Sequence, residues 1–211
     1  MLVSWEFPYQ SYLGKSAYGI LAEAGVDAIM PTEARKSVIR SLAENNLQLA
    51  HYTGSYRFWA KPDELVRTPC LSDPQYLKTR AAAVKRNARQ AIRYSPPVGY
   101  SVGNDCGLSR TDVNLCFSVH CRKDFQRYLQ AVYGDIARLN SEWDGDYRSW
   151  EEVAPMSLDD ARARGNAAPW VDHRMHMDEV FARAVALDRA AIQEVDPGAR
   201  VGLDSQEVGH I

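Results

Sequence analysis

Five short apolar runs, at 2–6, 26–30, 47–52, 98–104 and 200–204, alternate with segments of helical periodicity. No other feature constrains the fold as strongly. Between the first two runs, Leu13, Ala17, Ile20, Leu21 and Ala24 recur at helical spacing, predicting a helix over 11–24 that ends at Gly25. Val38, Ile39, Leu42 and Ala43 predict a second helix over 33–46. A long aromatic and basic loop fills 53–72; Asp73-Pro74 then supplies an N-cap and a first-turn proline for a helix to about Tyr94. Beyond the fourth run, helices are expected at about 118–133 and 134–143, followed by an irregular stretch to Pro169. A long helix over about 170–194 carries Met177, Phe181, Ala184, Leu187 and Ala191, and the turn Asp196-Pro197-Gly198 leads into the last run.

Strands joined through helices pair in parallel. The strands are short, the loops after them are enlarged, and neither Gly-x-Gly-x-x-Gly nor a phosphate loop follows any of them. That favours an α/β fold of the (β/α)8 TIM-barrel type over a Rossmann sheet. Eight units typically take about 250 residues, so 211 residues with five strands predict an incomplete barrel, strands one to five. It is expected to form one domain, 1–211, with a helical insertion at about 106–169. Both ends read as cut within a barrel. Open strand edges and uncovered helix faces would then make the isolated chain unstable or self-associating, as a homo-oligomer for example.

Composition narrows the partners. With 25 basic against 27 acidic residues, the chain has no global charge for binding nucleic acid or an anionic membrane. No apolar run approaches the roughly 18 residues of a membrane span. Residues 1–8 lack the basic start of a signal peptide, and four cysteines make no disulfide framework, so the expected location is cytoplasmic.

In a barrel, reacting groups sit at the C-terminal ends of strands. Here those positions hold Glu6, Thr32 and Glu33, His51 and Tyr52, Asn104 and Asp105, and Ser205 to Glu207. Carboxylates and amides suit neutral sugars, and a carboxylate pair is what glycoside hydrolysis requires. Trp5, Tyr52, Tyr56, Trp59 and Tyr100 offer apolar faces for a sugar ring. Each residue also has a plainer reading: Asn104-Asp105 before Cys106-Gly107 is ordinary turn chemistry, Glu6 caps a barrel edge, and the loop aromatics pack over the barrel top.

The stretch 97–202 shifts that balance, because it resembles family 42 of the glycoside hydrolases, the beta-galactosidase-like family. The resemblance rests on Tyr100-Ser101-Val102-Gly103-Asn104-Asp105, then Cys116 and Cys121, Phe125-Gln126-Arg127-Tyr128-Leu129, Tyr133-Gly134, Leu139-Asn140-Ser141-Glu142-Trp143 and Trp150-Glu151-Glu152-Val153. It implies a retaining glycosidase, with Asp105 in the acid/base position and Asn104 contacting the sugar near its 2-hydroxyl. Glu6, His51, Tyr52 and Trp59 are expected as further substrate-binding residues. The family has Glu where this chain has Asp105, one methylene shorter. Its nucleophile lies on strand seven, so the isolated chain is expected to be inactive on its glycoside or oligosaccharide substrate. The alternative is a non-catalytic carbohydrate-binding barrel or a degenerate remnant of such an enzyme.

Some family members hold a structural zinc with four cysteines. Cys70, Cys116, His120 and Cys121 fall in roughly matching places, but the compact triple-cysteine spacing is absent. Buried free cysteine is common, so no metal and no cofactor are expected, with zinc as the alternative. His173 and His176 read as a solvated face or helix-start contacts rather than as ligands.

Overall fold

The computed structural model describes residues 1–5, 11–12, 15–53, 65–104, 106–108 and 114–204. In chain order its elements begin with β1 (Val3–Trp5), β2 (Ser11–Tyr12), β3 (Lys15–Ser16), α1 (Ala17–Glu23), β4 (Ala28–Met30), α2 (Lys36–Glu44), β5 (Gln48–Tyr52), α3 (Pro74–Tyr94) and β6 (Gly99–Ser101). They continue with α4 (Val119–Tyr133), α5 (Ile136–Trp143), a 3-10 turn at Trp150–Glu152, α6 (Leu158–Arg164), α7 (Ala168–Gln193) and β7 (Val201–Gly202). The chain forms two compact units.

The first unit holds the sheet. Five parallel strands lie in the order β1-β4-β5-β6-β7, so that, apart from the β2-β3 hairpin, each is beside its neighbour in sequence. This is the succession of a (β/α)8 barrel, present as an incomplete set of strands. Alternation along each strand sends successive side chains to opposite faces. Ile29 and Leu49 pack with Ile39, Leu42 and Ala91 on the helix-facing side. Tyr100 and Val102 pack there with Val84, Ala88, Ala191 and Ile192. Trp5 and Tyr52 meet edge to face at 5.6 Å, and Tyr52 pairs in register with Ser101.

Two polar ties cross this unit. Arg80 on α3 donates from Nε to Asp188 Oδ2 on α7 at 2.9 Å, and its Nη2 lies 2.9 Å from the same oxygen. The Tyr100 hydroxyl donates to Asp196 at 3.2 Å, so the aspartate of the predicted turn also anchors a sheet residue.

The second unit is built from the described residues between 65 and 79 and between 107 and 184. Its core is Phe125, Leu129, Leu139, Trp143 and Val153. Helix starts are capped as their sequences demand: Ser118 accepts from the Cys121 amide, Asp135 from that of Arg138 and Ser157 from that of Asp160.

Two expected elements differ. The helix expected over 11–24 begins only at Ala17, because 11–12 and 15–16 pair as an antiparallel hairpin. Within the stretch expected to be irregular, α6 forms with Ser157 as its cap and Gly165, at φ +74°, after it. Among the described residues no helix is long and apolar enough to cross a membrane.

Candidate functional site

Tyr52, Asn104 and Asp204 lie at the C-terminal ends of β5, β6 and β7. The turn after β6 is tied to the turn after β7: Ser101 Oγ donates to Asp204 Oδ1 at 2.6 Å, and the Asp204 amide donates to the Gly103 carbonyl at 3.2 Å. The Gly103 amide donates back to Ser101 Oγ at 3.3 Å. Only glycine fits at 103, since a Cβ there would overlap the Cys106 sulfur. Asn104 is half-buried on this pinned turn, its carbonyl accepting from Cys106 Sγ at 3.6 Å. Asp204, an exposed carboxylate beside it, was read from sequence only as the end of a strand. An aromatic face, an amide and a carboxylate at one end of a parallel sheet are suited to sugar hydroxyls.

Of the other expected site residues, Glu6, Trp59 and Asp105 lie outside the described residues, as do Tyr56 and Ser205 to Glu207. His51 is described, and its side chain leaves β5 on the face opposite that of Tyr52, although both border one cavity. Its ring packs edge-on against Tyr100 at 5.7 Å, on the helix-facing side of the sheet. Burial pushes its imidazole down to about 4.

The second unit holds a sulfur cluster. The Sγ atoms of Cys70, Cys116 and Cys121 lie within 4.8 Å of one another. Ser118 Oγ is 3.0 Å from Cys70 Sγ, and the amides of Arg67 and Ser72 donate to Cys116 Sγ and Cys70 Sγ at 3.3 and 3.4 Å. Hydrogen bonds from Cys121 and then Cys70 hold the Cys116 thiol far below the usual range. His120 is exposed on α4 and is not part of the cluster. Zinc bound at about 2.3 Å to thiolates in a tetrahedron spaces the sulfurs about 3.8 Å apart. The donor set therefore fits a soft divalent cation, with one position left for Ser118 or water.

His173 and His176, expected on a solvated face, are fully buried instead. The aromatic rings of Phe125 and Tyr128 cover the turn of α7 that carries them. His176 Nε2 lies 3.1 Å from Asp124 Oδ2, which also accepts from Ser72 at 3.1 Å and from Arg183. Burial works against the Asp124 charge, but the bonds from His176 and Arg127 and the Arg183 charge outweigh it and hold the carboxyl well below its usual range.

Strands running in sequence order, with polar and aromatic groups at their C-terminal ends, define the (β/α)8-barrel class of protein. The family model of glycoside hydrolase family 42, described as beta-galactosidase, matches residues 63–204. The chain belongs to that family. The beta-galactosidase of Heyndrickxia coagulans is 25% identical over 137 residues, which are 63% of this chain and 20% of that protein. The solved beta-galactosidase of the haloarchaeon Halorubrum lacusprofundi superposes with a TM-score of 0.73 at 19% identity, covering 95% of this chain and 36% of its own. That of Bacillus circulans sp. alkalophilus gives 0.71 at 16% identity, with the same coverage. The chain thus spans about a fifth of the curated relative and about a third of the solved enzymes.

Proposed function

We propose that this chain is part of the catalytic barrel of a retaining, beta-galactosidase-like glycoside hydrolase acting on neutral glycosides or oligosaccharides. The observation that carries the reading is the placement of Asn104 at the C-terminal end of β6, inside the family match. In this reading Asn104 accepts and donates hydrogen bonds to a sugar hydroxyl, and Tyr52 offers its ring to a sugar face. Asp105 protonates the glycosidic oxygen as it leaves, then accepts a proton from water when the glycosyl-enzyme is hydrolysed. Glu6 and Trp59 complete the mouth. A retaining enzyme needs its second carboxyl about 5–5.5 Å from the first, and no described carboxylate is assigned that part. The thiols of Cys70, Cys116 and Cys121, not joined as disulfides, fit a reducing, cytoplasmic setting.

The purified 211-residue chain is expected to give no turnover of 4-nitrophenyl β-D-galactoside. In the complete gene product, Asp105→Asn is expected to lower kcat/KM by about 10²–10⁴-fold, the range of general acid catalysis. Asp105→Glu separates the two functional readings. An enzyme shaped around aspartate loses rate when the carboxyl is moved by a methylene. A non-catalytic sugar binder, the reading favoured by the shorter side chain, starts near zero and gains. Turnover by the 211-residue chain itself would refute the assignment of the nucleophile outside it.

The sulfur cluster supports a structural zinc held by Cys70, Cys116 and Cys121, against the expectation of no metal. Such an ion supplies no step of the hydrolysis; it would hold the segment around Cys70 to the start of α4. Elemental analysis is expected to find one zinc per chain, released as a mercurial titrates the thiols, with a lower Tm after chelation. Less than a tenth of an equivalent in protein purified without chelator would dismiss it.

A further inference from the structure

A cavity of about 290 Å³ lies between the ends of β4 and β5 and the side of α3, all within the first unit. Its floor includes His51 and Thr53, which are 6% exposed each. Thr32, Glu33, Asn87 and Gln90 form the exposed rim. His51 carries the argument. Both of its ring nitrogens are buried, and neither has a hydrogen-bond partner. Native structures rarely leave a buried polar group so, because desolvation without a new bond is costly. The imidazole is uncharged at neutral pH, so it presents one N–H donor and one bare nitrogen acceptor.

The lining selects a ligand class. Asn87 and Gln90 each carry a donor and an acceptor on one amide, while Thr53 Oγ1, which donates to the Ser101 carbonyl at 3.0 Å, keeps its acceptor side. A hydroxyl group is the complementary partner for such dual groups. Among the described residues no lysine or arginine lines the cavity, so none of them offers an anion a counter-charge. Glu33, the one carboxylate among the described lining residues, already pairs with Arg35, which weakens the case for a cation. An apolar ligand would leave the nitrogens of His51 unmet. The volume is at the lower end of the roughly 300–1,000 Å³ of small-molecule sites, so the ligand is small.

We infer that this cavity binds a small neutral polyhydroxylated molecule of three to six carbons, seated on His51 on the helix-facing side of the sheet. Tyr52 also borders the cavity, but the seat is His51, which packs on Tyr100 on the helix-facing side of the sheet, and binding there does not depend on Asp105 or on any glycosidase activity.

The test is a titration of the 211-residue chain with glycerol and with D-galactose, read from the imidazole nitrogen and carbon NMR signals of His51. Saturable shifts in the millimolar range are expected with at least one of them. The rim variants Asn87→Leu and Gln90→Leu sit on exposed helical positions where leucine is at least as good a helix former. Their fold should therefore persist, while affinity falls at least tenfold. Asn104→Ala, at a residue that does not line the cavity, should leave the His51 titration unchanged. Signals of His51 that do not move with either compound would overturn the proposal. So would shifts that survive both rim substitutions, or that vanish with Asn104→Ala.

Discussion

Replacing Arg80 by methionine is expected to destabilise the chain by about 3–5 kcal/mol, the cost of leaving a buried charge without its partner. The Asp188 side chain is completely buried, and Arg80 supplies both contacts to its Oδ2. Its Oδ1 has no hydrogen-bond partner, so nothing stands ready to replace the guanidinium. The expectation concerns the broken pair and not the pair's own worth, since buried ion pairs often gain little over an apolar substitute. Hence the double change Arg80→Met with Asp188→Leu should recover most of the loss. Urea unfolding of the three proteins measures both effects. A cost under about 1 kcal/mol for Arg80→Met would mean that water reaches Asp188 and that the pair behaves as a surface one.

The second large effect is expected at Trp143. Its indole is fully buried on α5 and stacks on Phe125 with ring centres 6.1 Å apart. The indole Nε1 donates to Asp172 Oδ2 at 2.8 Å, and the Tyr133 hydroxyl donates to the same oxygen at 2.7 Å. Trp143→Ala removes the ring and one of these bonds, and should cost about 3–5 kcal/mol, as truncation of large core aromatics does. Trp143→Phe keeps most of the ring volume, so its loss should be smaller and include about 1–1.5 kcal/mol for the missing bond. Equal losses for the two variants would place the energy in the Asp172 bond and not in the stacking.

The sheet was readable in the sequence because its signals are local. Asp73 does cap the helix that Pro74 opens, accepting from the Gln75 amide at 2.9 Å. Gly25 does close α1, at φ +87°. The false start at 11–16 arose because helical spacing of apolar residues does not exclude a hairpin, and Gly14 costs a helix about 1 kcal/mol relative to alanine. The sequence signs of α6 were present as Ser157-x-x-Asp160 and Gly165. They come without an apolar stripe, since the segment buries little beyond Ala161 and is held by its caps and by the Asn114 side chain.

The site was less legible, for reasons of geometry. His51 and Tyr52 were grouped as neighbours at one strand end, yet the pleat turns adjacent side chains to opposite faces. Cys70 is far from Cys116 in sequence, so only the tertiary fold brings its sulfur to the others. Ser118 also interrupts the spacing that would have announced a metal site. His176 lies on a helix that carries many charged residues, yet the rings of Phe125 and Tyr128 from α4 pack on it and Asp124 meets its Nε2.

The register of the sheet bears on the order in which it can assemble. Val3 meets Ala28 across about twenty-five residues of chain, whereas Tyr100 meets Val201 across about a hundred. Each doubling of a closed loop adds about 0.6 kcal/mol of entropy cost, so the β6-β7 pairing starts about 1.2 kcal/mol behind the β1-β4 pairing. That handicap shrinks once α4 to α7 have condensed around Phe125 and Trp143, because a folded intervening segment brings its own ends closer. Assembly should therefore run in two currents, the first strands zipping early from the amino terminus and β7 joining only after the helices between have formed.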